Sequence, residues 1–247
     1  MDLGIEGRRA LVCGASKGLG FACALALAQE GATVSIIARD EVALKSAGDR
    51  IQSIMGRSCR SLAADLSTAD GRNQVLKMCP DSDILVTNAG GPPVKDFTEL
   101  SIADWQRALD TNLLAAVELI RATAPGMAER RFGRIINITS MTVRMPVERL
   151  DLSTATRMAL TGYVAGVARQ VARHNVTINN LLPGTIMTER IRALGETAQK
   201  LIDKVPMGRA GSPAEFGAAC AFLAGVPAAF ITGQSLLVDG GLCPATI

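Results

Sequence analysis

The chain has 247 residues, 48% of them hydrophobic and 20% charged, with a formal net charge of +3. That length suits one large α/β domain with a substantial core, and the balance excludes a disordered or collagen-like chain. So small a net charge argues against a nucleic-acid surface or a polybasic membrane patch, and no apolar stretch approaches the roughly 18 residues of a membrane span.

Residues 1–9 are polar and carry no secretory pattern. From there short β-type runs alternate with longer helical patterns. Strands are predicted at 10–13, 33–38, 59–63, 84–87, 134–138, 177–181 and 235–238. Most are continuous apolar runs, the pattern of strands buried on both faces. Helices are predicted at 20–30, 40–55, 102–129, 153–174 and 213–224. Ser101 with Asp104, and Ser212 with Pro213 and Glu215, carry capping signals, and Gly31 suits a helix C-cap. The alternation predicts a single doubly wound Rossmann-type domain, 1–247, with about seven parallel strands and helices on both faces. Residues 187–207 are the least regular and read as a substrate lid.

The six cysteines, Cys13, Cys23, Cys59, Cys79, Cys220 and Cys243, are scattered and form no C-x-x-C pair. They read as reduced residues of a cytoplasmic protein. His174 is the sole histidine, which argues against a protein-built zinc site.

The first strand runs into Gly14-Ala15-Ser16-Lys17-Gly18-Leu19-Gly20 and then a helix. Glycines there let the backbone turn tightly and approach a pyrophosphate, which faces the helix N-terminus. The spacing is G-x-x-x-G-x-G. Further along come Asp65-Leu66, Asn88-Ala89-Gly90-Gly91, Asn112, Ser140, Pro183-Gly184 with Thr188, Gly208-Arg209, Thr232-Gly233-Gln234 and Asp239-Gly240-Gly241. In this order, nearly end to end, the chain resembles the classical short-chain dehydrogenase/reductase family, and within it the 3-oxoacyl-carrier-protein reductase group. The resemblance implies a nicotinamide cofactor held by Gly14, Ser16, Lys17, Gly18, Leu19 and Gly20. It also implies adenine contacts at Asp65 and Leu66, and nicotinamide-side contacts at Asn88, Ala89, Gly90, Pro183, Gly184 and Thr188. A small-molecule carbonyl or alcohol substrate and a homo-oligomer, tetramer or dimer, are implied as well.

NAD-selective Rossmann sites place an acidic residue at the end of the second strand. Here that strand ends in Ala38, followed by Arg39, and Lys17 sits in the glycine loop. Basic residues at both places match a 2′-phosphate, so NADP(H) is expected in preference to NAD(H). Asp40, one residue further, speaks the other way.

The family pattern requires a serine after the fifth strand, then tyrosine and lysine one helical turn apart. Ser140 fits the first role. The tyrosine position holds Ser153 and the lysine position Arg157. The single tyrosine, Tyr163, lies too far along the same helix, roughly 15 Å at 1.5 Å per residue. An aliphatic hydroxyl beside a guanidinium is not an acid comparable to a phenol. Arg157 would still hold ribose hydroxyls and polarise a carbonyl, with Asn112 and Ser140 beside it and Ser153 placing water or substrate. Arg144 and Arg149, in the charged loop with Glu148 and Asp151, offer partners for an anionic substrate. Three functions stay open: a carbonyl–alcohol oxidoreductase with altered proton delivery, a cofactor-binding protein with little turnover, and a reductase of imines or conjugated alkenes.

Overall fold

The computed structural model describes residues 1–56 and 58–244. Strands β1 (Arg9–Cys13), β2 (Thr33–Ala38), β3 (Arg60–Ala63), β4 (Ile84–Thr87), β5 (Gly133–Ile138), β6 (Val176–Pro183) and β7 (Ser235–Val238) form one sheet. Their order is β3-β2-β1-β4-β5-β6-β7 and every pairing is parallel. All seven predicted strands are present, their ends shifted by at most two residues.

The helices are α1 (Gly18–Gln29), α2 (Glu41–Met55), α3 (Ala69–Met78), α4 (Ile102–Leu109), α5 (Ala115–Glu129), α6 (Asp151–Val171), α7 (Glu189–Arg192), α8 (Glu196–Ile202) and α9 (Pro213–Ala224). Both predicted capping boxes form, at Ser101 with Asp104 and at Ser212 with Glu215. Gly31 adopts a left-handed φ of 85° just past α1.

Three expectations need correction. The helix expected over 102–129 is interrupted by a π turn, Asp110–Leu114, between α4 and α5. Helix α3 was not anticipated, because Val75 and Gly71 are its only buried residues and leave no apolar stripe to read. The stretch 187–207 is not irregular throughout, since it carries α7 and α8.

Each apolar strand feeds two cores. On β1, Ala10 and Val12 join Cys23, Leu27, Leu44, Phe216 and Cys220, from α1, α2 and α9. The alternate residues Leu11 and Cys13 join Val75, Leu119, Ile120, Leu160 and Val164, from α3, α5 and α6. Successive side chains of a strand point to opposite faces, so an unbroken apolar run is what two helical layers require.

One polar rung crosses this apolar sheet. The Thr87 hydroxyl donates to Asn137 Oδ1 at 2.6 Å, Asn137 Nδ2 to Asn180 Oδ1 at 3.2 Å, and Asn180 Nδ2 to Ser235 Oγ at 3.2 Å. These four residues are in register from β4 to β7. They tie four strands together at the carboxyl end of β4 and one residue short of that of β5. At the other end of the sheet, Asp83 Oδ2 accepts from Arg9 Nε and Oδ1 from Arg130 Nε, both at 3.1 Å. Among the described residues, no helix is long and apolar enough to cross a membrane.

Candidate active site

The strand order turns at β1, whose neighbours are β2 and β4. Ligands of such sheets bind in the crevice at the carboxyl ends of the strands on either side of that point. Here the two loops leaving β1 and β4 are joined directly, because Asn88 Nδ2 donates to the Gly14 carbonyl at 3.1 Å. Gly14 has a left-handed φ of 57°, and a Cβ on Gly20 would collide with the Gly14 carbonyl oxygen. Glycine is therefore required at both positions for the loop to close. Ser16 and Lys17 follow in that loop, with Lys17 extended and exposed before α1. Leu19 packs back on the core. The first N–H groups of a helix have no intrahelical acceptors, so the start of α1 opens an anion-binding concavity at this loop.

The far side of the crevice is basic. Arg39 is exposed at the end of β2. Asp40, which spoke for NAD(H), is committed elsewhere: its carboxylate accepts the Ala43 N–H at 3.0 Å and caps α2. Asp65 follows β3. Desolvation pulls its carboxyl up, but the Ser67 N–H and hydroxyl, with the charge of Arg39, outweigh this and hold it below the usual range. Leu66 packs against the second core, and its carbonyl accepts from Arg72 Nη1 at 2.9 Å.

Arg157 occupies the centre of the other half. It is buried, and it donates from Nη1 to the Ile138 carbonyl at 2.8 Å, from Nη2 to the Ala89 carbonyl at 3.5 Å and from Nε to Ser153 Oγ at 3.2 Å. It therefore links the ends of β4 and β5 to α6. Burial, then the like charge of Arg190, pushes its pKa down to about 10. It remains a cation at neutral pH.

Ser140 follows β5, and its Oγ accepts the Thr142 N–H at 3.2 Å. Its hydroxyl proton is free of that bond. The turn after Ser140 and the π turn carrying Asn112 both pack against α6. Asn112 is buried; Nδ2 donates to the Ala108 carbonyl at 3.3 Å, while Oδ1 has no partner among the described residues. The hydroxyls of Thr142 and Thr154, buried beside Ser140 and Ser153, are orphaned in the same way. Buried polar atoms without a partner are costly.

Pro183 ends β6, and the Gly184 N–H donates to the Val238 carbonyl at 3.0 Å. Thr188 is the second residue of the 187–207 stretch, its methyl 3.7 Å from where a Cβ on Gly18 would stand. The stretch is pinned at its ends by Met187 N–H to Gly211 and Met207 N–H to Gly240. Gly90 is exposed at the crevice.

Tyr163 is not part of this arrangement. It packs against the second core, where burial and then Glu118 raise its pKa. Arg144, Glu148, Arg149 and Asp151 are exposed. Hydrogen bonds from the Thr98 hydroxyl and N–H, then the charge of Arg149, hold Asp96 low, so Arg149 has an acidic neighbour of its own. The residue that the sequence reading passed over is Arg190, on α7. Its Nη1 lies 2.7 Å from where a Cβ on Gly91 would be. A cation two residues past Thr188 was the available signal.

The geometry has counterparts among known proteins. A family model described as Enoyl-(Acyl carrier protein) reductase matches residues 14–243. The chain is 36% identical to the 3-oxoacyl-[acyl-carrier-protein] reductase FabG of Vibrio cholerae, over 97% of this chain and 99% of that one. Its fold superposes with a TM-score of 0.95 on L-sorbose reductase from Gluconobacter frateurii complexed with NADPH and L-sorbose, at 30% identity over 99% of this chain and 100% of the other. A 3-oxoacyl (acyl-carrier-protein) reductase from Agrobacterium tumefaciens C58 with NADP bound gives a TM-score of 0.91 and 32% identity, over 97% and 95% of the two chains.

Proposed function

Since the chain belongs to the short-chain dehydrogenase/reductase family, we propose that it is an NADP(H)-dependent oxidoreductase interconverting a carbonyl compound and its alcohol, with water in the proton-delivery role. The observation that carries this reading is Arg157. It is a cation fixed under the carbonyls of Ala89 and Ile138, at the carboxyl ends of β4 and β5, with a serine hydroxyl on its Nε.

The residues fit the cofactor. The Gly14–Gly20 closure leaves no side chain where a pyrophosphate would approach α1. Ser16, Lys17, Gly18 and Leu19 complete that cradle, and Lys17 and Arg39 would hold the 2′-phosphate. Asp65 and Leu66 would border the adenine; Asn88, Ala89, Gly90, Pro183, Gly184 and Thr188 would border the nicotinamide. When bound, the nicotinamide supplies or accepts the hydride.

The remaining work falls to the chain. Ser140 donates a hydrogen bond from its hydroxyl to the carbonyl oxygen of the substrate and polarises it. Arg157 stabilises negative charge gathering on that oxygen, in a site of low dielectric where a fixed cation counts for more than in water. Ser153 accepts from Arg157 Nε, so its own O–H is left to orient a water, and that water delivers the proton to the developing alkoxide. Asn112 shapes the π turn behind α6. Residues 187–207 close over the substrate as a lid.

Titration of the protein with NADPH and NADH tests the cofactor part: NADPH should bind at least about tenfold more tightly, the scale of one charge-assisted hydrogen bond, and Arg39→Glu should erase the preference. Equal binding of NADH would end this reading. Absorbance screens of NADPH oxidation against ketones then test the chemistry. One alternative has a specific observation behind it. Arg157 spends three donors on the protein itself, which suits a cofactor-binding protein with little turnover. Tight NADPH binding without oxidation of any ketone, thioester, imine or enone would favour it.

A further inference from the structure

Two guanidinium groups meet the loop 88–91. Arg157 reaches it from α6 and donates to the Ala89 carbonyl. Arg190 reaches it from α7, with Nη1 2.7 Å from the position of a Cβ on Gly91. A Cβ at position 91 would make the tip of Arg190 shift. Arg157 is buried and Arg190 exposed. The charge of Arg190 acts on Arg157. Among the described residues, neither is in an ion pair, whereas Arg9, Arg107, Arg121, Arg130 and Arg209 all have carboxylate partners. The acidic residue next to Arg190, Glu189, lines the groove along α1 and α9. Of the two cations that the sequence offered for an anionic substrate, Arg149 has Asp96 near it and Arg144 is exposed.

Two like charges beside a reaction site, without a counter-ion, make a site for an anion. A guanidinium matches the two oxygens of a carboxylate through paired N–H donors. We infer that Arg190, backed by Arg157, recognises a carboxylate on the substrate itself, so that the carbonyl compound is an oxo acid. The inference rests on the oxidoreductase reading above and narrows its substrate class. Proximity favours a short acid. Gly91 lies two residues from the carbonyl that Arg157 holds, so the anion sits a few bonds from the reacting carbon. A phosphopantetheine arm separates its phosphate from the acyl carbonyl by much more chain, and a carrier-bound thioester brings no charge to this position.

The test uses the full chain with NADP(H). The probes are 3-oxobutanoate and 3-oxooctanoate, their methyl esters, and the N-acetylcysteamine thioester of 3-oxobutanoate. Calorimetry of the NADP⁺-loaded protein measures binding, and NADPH oxidation gives kcat and KM. At one chain length or both, the acid should bind about tenfold or more tightly than its ester, as expected for a hydrogen-bonded charge pair. Arg190→Gln should remove that difference through KM, Arg190→Lys should keep part of it, and ester affinity should change little in either. A merely structural Arg190 would move acid and ester alike. Acids binding no better than esters at both lengths, a preference for the thioester, or an acid affinity unchanged in Arg190→Gln would each overturn the inference. NADPH titration run alongside separates the two readings. Loss of NADPH binding with Arg190-dependent acid binding intact sinks the oxidoreductase reading alone. Tight NADPH binding without discrimination for the acid sinks the carboxylate site alone.

Discussion

Arg157 donates its Nε–H to the Oγ of Ser153 at 3.2 Å, across one turn of α6. The same two positions would carry the lysine and tyrosine of the family pattern that the chain resembles. The pair as it stands can orient water and stabilise negative charge, but it contains no group that titrates like a phenol beside a cation.

Restoring that group should therefore raise activity. Ser153→Tyr combined with Arg157→Lys should increase kcat/KM for NADPH-dependent ketone reduction by about 10²–10⁴-fold, the usual worth of a general acid. Arg157→Lys alone should do less, since Ser153 still offers no phenol beside the cation. Steady-state kinetics decide it. A double variant that binds NADPH yet reduces ketones no faster than the wild type would refute the proton-donor argument.

The Thr87–Asn137–Asn180–Ser235 rung makes a separate prediction about stability. Asn137→Val removes the central member and leaves the Thr87 hydroxyl and Asn180 Oδ1 buried without their partners. Each such group costs about 1–3 kcal/mol. For a chain of this size, 1 kcal/mol moves Tm by about 2–4 °C. Calorimetry should show Asn137→Val melting several degrees lower than the wild type. Because the rung lies directly beneath Asn88 and Ile138, NADPH affinity should fall as well. A melting temperature within a degree of the wild type would mean that the rung is dispensable.

Acid sensitivity should trace in part to Asp83. Desolvation pulls its carboxyl up, but the hydrogen bonds and charge of Arg9, then Arg130, prevail and hold it below the ordinary value. A carboxyl with a depressed folded pKa contributes stability that is complete above its unfolded pKa, about 3.9. That contribution is lost as pH falls through the folded value. Asp83→Asn should destabilise the protein at pH 7, leaving Arg9 and Arg130 without their shared carboxylate, and should flatten the loss of stability below about pH 4. Denaturant melts at pH 7 and pH 3 measure both. If the gap between mutant and wild type is the same at the two pH values, Asp83 is not a linked group.

Much of the fold was legible because its signals are local. Unbroken apolar runs such as Ala10–Val12 and Ile84–Val86 announce strands covered on both faces. Ser101 with Asp104 and Ser212 with Glu215 announce helix starts through bonds made within four residues. The π turn at Asp110–Leu114 was not legible, since no residue type marks such a turn and the helical residues on either side read as one run. Helix α3 was not legible for want of an apolar face. The role of Asp40 needed the bond to Ala43, which a sequence does not display.

The sequence by itself determined the parallel sheet, the glycine turn before α1, and the spacing that sets Ser153 and Arg157 one helical turn apart. These follow from residue type and spacing along one stretch of chain. Only the tertiary structure brought Arg157 and Arg190 to one loop. Their meeting at the loop 88–91 brings together α6, α7 and the ends of β4 and β5, segments far apart in sequence. Whether a cation is neutralised depends on which carboxylates fold beside it, and among the described residues neither Arg157 nor Arg190 is in an ion pair.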